Sequence, residues 1–489
     1  MLKKLLNKYN GLPVQVRASL WFMICSFLQK GISFITTPIF TRLLNSAEYG
    51  AYGVYTSWDT ILTVFITLQL SLGVYVQGLV KFEKDKNVFS SSLLGLTTTL
   101  SAFWFVVFGV FNSFFCGLFE LNTLQLLSIP VDVWLVAVCT FWSTDQRVDY
   151  KYRKLVLVTV VSSILRPLAG IAAVIIFDDK VTARIISTIV VYAALYIVLF
   201  AIMMKKGKVF FHKKYWKYAI KFNLPLIPHY LSTSILNGAD RIMIARMVGE
   251  REAGFYTLAY SISLIMSTLS TALLKTIEPW LFKNIRDKQL GKFSKVSEPS
   301  FIFVAVVNLF LIVLAPEIIR AFAPVEYLDA IWVIPPVSMS VFFTYMYTFY
   351  SVFEFYYEKT IYISVATVLG AVFNIATNYI FIGLFGYLAA GYTTLFCYIM
   401  FALMHYVFMT RILKKNLNGV KVYRLRNILI ISISFMACGF ALMATYPFMI
   451  VRYLIVLLLI AAAIVMRKRI IAYFKSLGSL KKEKSKETA

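Results

Sequence analysis

The chain has 489 residues, of which 60% are hydrophobic, 16% aromatic and only 15% charged, yet 49 Lys and Arg against 23 Asp and Glu give it a net charge of +26. Ordinary soluble domains carry about 25% charged residues, so this chain has too few to cover a water-facing surface. It is also too apolar for a basic nucleic-acid binder or a disordered chain, which leaves a polytopic membrane protein.

A bilayer-spanning helix needs about 20 mostly apolar residues. Fourteen stretches meet this, with cores near 18–39, 52–76, 89–113, 124–144, 155–177, 184–203, 222–247, 254–282, 300–317, 328–353, 361–383, 387–409, 427–445 and 449–466. Only Tyr446 and Pro447 separate the last two, so the expected range is twelve to fourteen spans. Lys3, Lys4 and Lys8 precede the first stretch. That stretch is too long for a cleaved signal and reads as a retained first span.

Cytoplasmic loops are enriched in Lys and Arg. With the N-terminus inside, the outer segments hold only Arg42, Lys180, Arg184, Arg246, Arg251, Arg320 and Arg452. Lys30, Arg166, Arg241 and Lys275 fall within spans, and the remaining 38 lie inside. This bias predicts an even number of spans and cytoplasmic termini. The basic string at 481–486 reads as a solvated or anionic-lipid-facing tail.

All loops are short, and no phosphate-binding G-x-x-x-x-G-K-[ST] string is present. The five Cys are scattered and His212, His229 and His405 lie far apart, so neither a disulfide framework nor a zinc triad is expected. No cofactor and no nucleic-acid partner are expected.

An internal repeat organises the spans. Residues 37–55 read TPIFTRLLNSAEYGAYGVY and residues 241–259 read RIMIARMVGEREAGFYTLA. Aligned without a gap they share Arg42/Arg246, Glu48/Glu252, Gly50/Gly254 and Tyr52/Tyr256. Each copy sits where a span ends outside and the next begins. The offset of 204 residues carries span 1 onto span 7, which predicts two parallel six-span lobes, 1–208 and 209–421, followed by two further spans and a tail, 422–489. The shared Arg and Glu read either as a gate held by their pairing or as a structural turn.

The string at 37–55, together with DRIMIARMVGEREAGFYTLAYSIS in the second half, resembles the polysaccharide-transporter branch of the multidrug/oligosaccharidyl-lipid/polysaccharide exporter superfamily. Length, span number and the six-plus-six repeat with two extra spans also match, over essentially the whole chain. The resemblance implies an all-α membrane protein of the bacterial cytoplasmic membrane. It implies a flippase that moves undecaprenyl-diphosphate-linked oligosaccharide by alternating access, for capsule, O-antigen or exopolysaccharide. A polysaccharide polymerase and a chain-length regulator are partners in that setting.

Charges at the bilayer centre cost about 2.5–3.5 kcal/mol each on insertion scales, so intramembrane bases should face a cavity or a partner. Ser26, Lys30, Ser33 and Thr37 fall within about 40° of Ser19 on the wheel of span 1. His229, Thr233, Asn237 and Arg241 repeat at i, i+4 in span 7, beside Asp240, and Pro225 and Pro228 predict a bent or broken start to that span. Span 2 carries Asp59, Thr63, Thr67 and Ser71; span 8 carries Ser267, Thr271, Lys275 and Glu278. Lys30, Arg166, Asn237, Arg241 and Lys275 are the expected contacts to an anionic cargo. Arg166 could instead pair with Asp132, and Lys275 with Glu278. Asp59, Asp240 and Glu278 are candidates for coupling to a proton or Na⁺ gradient.

Three other readings compete. A drug or cation antiporter of the same superfamily should favour acids over bases in its cavity. A flippase for the peptidoglycan lipid precursor shares the architecture. A membrane polymerase or acyltransferase should show a large outer loop or a catalytic constellation, and neither is present in the sequence.

Overall fold

The computed structural model describes residues 13–468, 471 and 472. The N-terminal lysines and the basic string at 481–486 lie outside these residues. The described residues are helical with no strand, and form two compact units that divide between Ile242 and Met243.

The first unit holds α1 (Val14–Leu43), α2 (Ser46–Thr67), α3 (Gly73–Lys81), α4 (Lys86–Val110), α5 (Asn112–Phe119), α6 (Thr123–Val148), α7 (Tyr152–Ile176), α8 (Lys180–Gly207), α9 (Lys213–Asn223) and the start of α10 (Ile227–Met247). The second holds the end of α10, α11 (Glu250–Arg286), α12 (Phe293–Val313), α13 (Ala315–Phe322), α14 (Ile334–Tyr356), α15 (Thr360–Phe385), α16 (Leu388–Asn416), α17 (Leu425–Met443) and α18 (Met449–Val465). The fourteen expected stretches are helical, but 52–76, 89–113, 222–247, 300–317 and 328–353 each run across a break between helices. Among the described residues ten helices are long and apolar enough to cross a membrane, and the pair Val325–Trp332 and Ile334–Tyr356, bent by 45°, makes eleven if it is counted as one span.

Lipid gives helices no hydrophobic reason to associate, so close packing and small polar residues do the work. In the first unit α8 packs on α7 and α6, and α4 packs on α6. Gly207 of α8 lies against Ser91 and the Asn87 carbonyl of α4, and Gly95 lies against the Phe210 carbonyl. A side chain at either glycine would overlap backbone. In the second unit α14 packs on α16 and α11, around a core that includes Phe293, Phe301, Phe342 and Phe353.

Span 2 is broken, which its apolar sequence did not reveal. Helix α2 stops at Thr67, and Leu68 and Gln69 take left-handed φ values of 49° and 53° before α3 starts at Gly73. The break is satisfied locally: the Gln69 N–H donates to Thr67 Oγ1 at 3.2 Å, and the fully buried Asn223 donates through Nδ2 to the Leu68 carbonyl at 2.7 Å. Asn223 ends α9, a 3₁₀ turn Leu224–Leu226 takes Pro225, and α10 begins at Ile227, so span 7 has the broken start that its prolines predict.

Candidate functional site

The two copies of the repeat make the same local structure. Arg42 and Arg246 lie in the last turns of α1 and α10, and Glu48 and Glu252 take the third position of α2 and α11. In the first copy Asn45 caps α2. The Glu48 N–H donates to Asn45 Oδ1 and the Asn45 N–H donates to Glu48 Oε2, both at 2.8 Å. An acid here also faces the positive end of the helix dipole. In the second copy the cap is Gly249 at φ 152°, and Glu252 Oε2 stands 2.8 Å from where a Cβ would sit. The positive φ favours glycine there, while the Glu252 carboxylate, at the end of a flexible side chain, could shift to admit a Cβ.

The Arg–Glu pairing considered for a gate is not the contact that Glu48 makes. Its second partner is Lys180, with Nζ at 3.9 Å, while Arg42 Nη1 donates to the Pro38 carbonyl at 2.8 Å. The Glu48 carboxylate is held by the α2 cap and by Lys180. Lys180 Nζ also donates to the Leu43 carbonyl at 3.1 Å, so the start of α8 holds the α1–α2 turn.

Above that turn, Arg184 is clamped between two rings. Its guanidinium lies 3.7 Å from the ring centre of Phe40 and 3.6 Å from that of Tyr52, the tyrosine of the repeat. Arg184 and Arg241 are both within electrostatic reach of Tyr49, and Arg166 is within reach of Tyr52. Arg184 meets both tyrosine rings, 5.8 Å from the centre of Tyr49 and 3.6 Å from that of Tyr52, while Arg241 and Arg166 act on them electrostatically. Arg184 was placed by its sequence among the outer residues; its role was not legible because both rings come from other helices.

The predicted face of α10 forms as a ladder. Thr233 donates to the His229 carbonyl at 2.9 Å, Asn237 to the Thr233 carbonyl at 2.8 Å, and Arg241 to the Asn237 carbonyl at 3.4 Å. Arg241 Nη1 also lies 3.5 Å from Ser57 Oγ of α2. Gly238 permits this approach, because a Cβ there would stand 3.2 Å from Ser57. Arg166 donates from Nη1 to Tyr192 Oη at 2.9 Å, and it also acts electrostatically on Asp132, the acid considered as its partner.

Asp59 of α2 and Asp132 of α6 lie within electrostatic reach of each other. The Oδ1 atom of each is enclosed and accepts no hydrogen bond among the described residues. Asp240 is buried. The polar stripe of α1 is mostly exposed: Ser19, Ser26, Lys30 and Ser33 lie on its open face. In the second unit Lys275 is exposed and Glu278 half-buried, and no ion pair joins them among the described residues.

Among the described residues no group of three or more His, Cys, Asp or Glu is placed to hold a metal ion.

Comparison with known proteins agrees with this picture. A family model described as polysaccharide biosynthesis protein matches residues 16–285. An uncharacterized membrane protein of Haemophilus influenzae is 23% identical over 368 residues, which is 72% of this chain and 87% of that one. Among solved structures, lipid II flippase MurJ in an inward closed conformation is similar in fold, with a TM-score of 0.69 at 17% identity, over 92% of this chain and 100% of that one. An inward-facing multidrug resistance MATE family transporter of the MOP superfamily has a TM-score of 0.63 at 14% identity, over 80% of this chain and 96% of that one.

Proposed function

Because the chain belongs to the polysaccharide biosynthesis protein family, within the polysaccharide-transporter branch of the exporter superfamily, we propose that it flips undecaprenyl-diphosphate-linked oligosaccharide across the bacterial cytoplasmic membrane. The product serves capsule, O-antigen or exopolysaccharide assembly. The observation that carries this reading is the family match over residues 16–285, more than half of a multi-span membrane chain. The fold likeness to a lipid II flippase over the full length of that protein supports a lipid-linked cargo.

The charge in the first unit fits that cargo. A diphosphate is a dense anion, and arginine presents it with planar, always-charged donors. Arg166, Arg184 and Arg241 supply three such groups within electrostatic reach of Tyr49 or Tyr52. Lys30 and Lys275, on exposed helix faces, would attract the same anion at longer range. Asp59, with Asp132 beside it, is the strongest acid candidate for coupling to a proton or Na⁺ gradient. Alternating access would expose these groups to each side of the membrane in turn.

The experiment is deletion of the gene with analysis of lipid-linked oligosaccharide by leaflet. The expected result is repeat units accumulating on the cytoplasmic leaflet and loss of surface polysaccharide, both restored by the intact gene. Unchanged polysaccharide after deletion would sink the reading. Rescue of a strain depleted of its peptidoglycan-precursor flippase would move the cargo to that lipid, and raised drug sensitivity alone would favour the antiporter.

A further inference from the structure

The geometry points to α9 as a docking surface for anionic phospholipid of the inner leaflet, an interaction that the proposed transport reading does not include. Residues 205–221 carry seven Lys and no Asp or Glu. The charge bias assigns this segment to the cytoplasmic side. Helix α8, long and apolar enough to cross a membrane, ends at Gly207, so α9 begins within a few residues of the bilayer surface.

The inner side of α9 is fixed to the first unit. Tyr215, Ala219 and Asn223 are buried. Trp216 donates from Nε1 to the Ser92 carbonyl at 2.9 Å, and Tyr215 from Oη to Asp85 Oδ2 at 3.3 Å. Just before the helix, Ser91 Oγ donates to the Val209 carbonyl at 2.8 Å. At its end, Asn223 donates to the Leu68 carbonyl at the break in span 2. These contacts set the helix in one rotation, with no lipid needed to order it.

That rotation turns the lysines outward. Lys213, Lys217 and Lys221 recur at i, i+4 and i+8, which puts them on one face. All three are exposed and make no ion pair among the described residues. Lys214 and Lys81 add charge beside them, 5.4 and 5.8 Å from the centre of the Phe82 ring. The acids of the neighbouring turn, Glu83 and Asp85, pair with none of these lysines among the described residues.

Apolar side chains stand among the bases. Phe210, Phe211, Ile220 and Leu224 are exposed, Phe211 by 59% and Leu224 by 57%. Bases that only orient the chain across the membrane do not require such neighbours, and a face turned to water gains nothing by showing them. Lysine heads beside exposed rings and aliphatic chains fit a helix that lies in the interface. There the lysines reach phosphates and the apolar groups meet the acyl boundary. The apolar groups are what select a lipid over a soluble anion. Each lysine near an anionic leaflet strengthens attachment by about fivefold, and three on one fixed face act together.

The test is thermal unfolding of the full-length protein, without cargo, in two kinds of nanodisc. One is phosphatidylcholine, the other equal parts phosphatidylcholine and phosphatidylglycerol. A lipid that binds the folded state raises its melting temperature. Phosphatidylglycerol is expected to raise the midpoint of the wild type, and added salt to shrink the rise. K213Q/K217Q/K221Q is expected to lose most of it. K414Q/K415Q/K421Q, an equal change of charge at exposed lysines of the second unit, is expected to keep it. Equal wild-type midpoints in the two discs overturn the proposal, and this comparison decides even if a variant does not fold. A loss in the second variant as large as in the first also overturns it, because bases would then attract the leaflet wherever they lie. So does an equal rise from inorganic phosphate in phosphatidylcholine discs, which would make the ligand a soluble anion. No cargo takes part, so failure here leaves the flippase reading standing, and failure of export leaves this surface standing.

Discussion

Arg452 of α18 reaches across to α13, where its Nη1 lies 2.5 and 2.6 Å from the two carboxylate oxygens of Glu317. The two partners are unequally buried: the Arg452 side chain is 2% exposed and that of Glu317 24%. The pair fastens the last described helix to the body of its unit. Removing Glu317 strands a buried guanidinium, which costs about 3–5 kcal/mol. Removing Arg452 leaves a carboxylate that water can still reach, and costs less. Thermal unfolding in detergent should therefore rank E317M below R452M, with the double variant E317M/R452M recovering much of the loss. An equal or reversed order of the single variants would show that burial does not set the strength of this pair.

Two glycines of the first unit carry a second prediction. A Cβ on Gly95 would overlap the Phe210 carbonyl, and one on Gly207 the Asn87 carbonyl, so neither clash can be relieved by turning a side chain. Overpacking of this kind costs about 1–3 kcal/mol. Gly109 and Gly117 have nothing within 4 Å of an added Cβ. There alanine should gain about 0.5–1 kcal/mol from helix propensity. The four alanine variants should split by sign in one melting series. A loss at Gly109 as large as that at Gly95 would remove the packing explanation.

The helices and much of one functional face were legible in the sequence because both are periodic. Apolar runs placed the helices, and i, i+4 spacing placed His229, Thr233, Asn237 and Arg241 on the ladder they form. The repeat located two matching helix starts at Glu48 and Glu252. What stayed hidden depends on partners distant in sequence. The break at Leu68 interrupts an apolar run with apolar residues, and the side chain that satisfies it is Asn223, from another helix. Arg184 stood apart from the span residues until Phe40 and Tyr52 were seen on either side of it. Glu354 and His405, whose side chains meet at 2.7 Å, lie 51 positions apart, with nothing in their spacing to pair them.

An acid-sensitive latch lies where α4 meets the end of α6. Lys86 Nζ is 3.0 Å from Asp145 and 2.5 Å from Asp149, and Lys151 Nζ is 2.8 Å from Asp149. Partial burial opposes ionisation of Asp149, but hydrogen bonds from Lys151 and Lys86 outweigh it and hold the carboxyl below the usual carboxylate range. A depressed folded value means the stabilisation is fully present above the unfolded value of about 3.9 and is lost as pH falls through the folded one. The melting temperature should hold steady between about pH 7 and about pH 5 and fall below about pH 4. In D149N that acid decline should be smaller and the neutral-pH stability lower. An identical acid profile for D149N and wild type would remove Asp149 from the account.

The arginine cluster gives the sharpest functional prediction. Arg184 acts through its plane as well as its charge, because two aromatic faces hold it. Lysine keeps the charge but cannot stack in the same way. R184K should therefore lose function almost as fully as R184Q, whereas K30R and K275R, at exposed positions, should be tolerated. A desolvated cation–π contact contributes about 1–2 kcal/mol, so loss of one clamp should also lower the melting temperature of the purified protein. Surface polysaccharide in a deletion strain carrying each variant, at matched membrane levels, is the measurement. R166Q and R241Q should show losses of the same order, and the triple variant R166Q/R184Q/R241Q none of the wild-type export. Full export by the triple variant would mean that the cluster only braces the helices, and the anion would then have to be sought at Lys30 and Lys275.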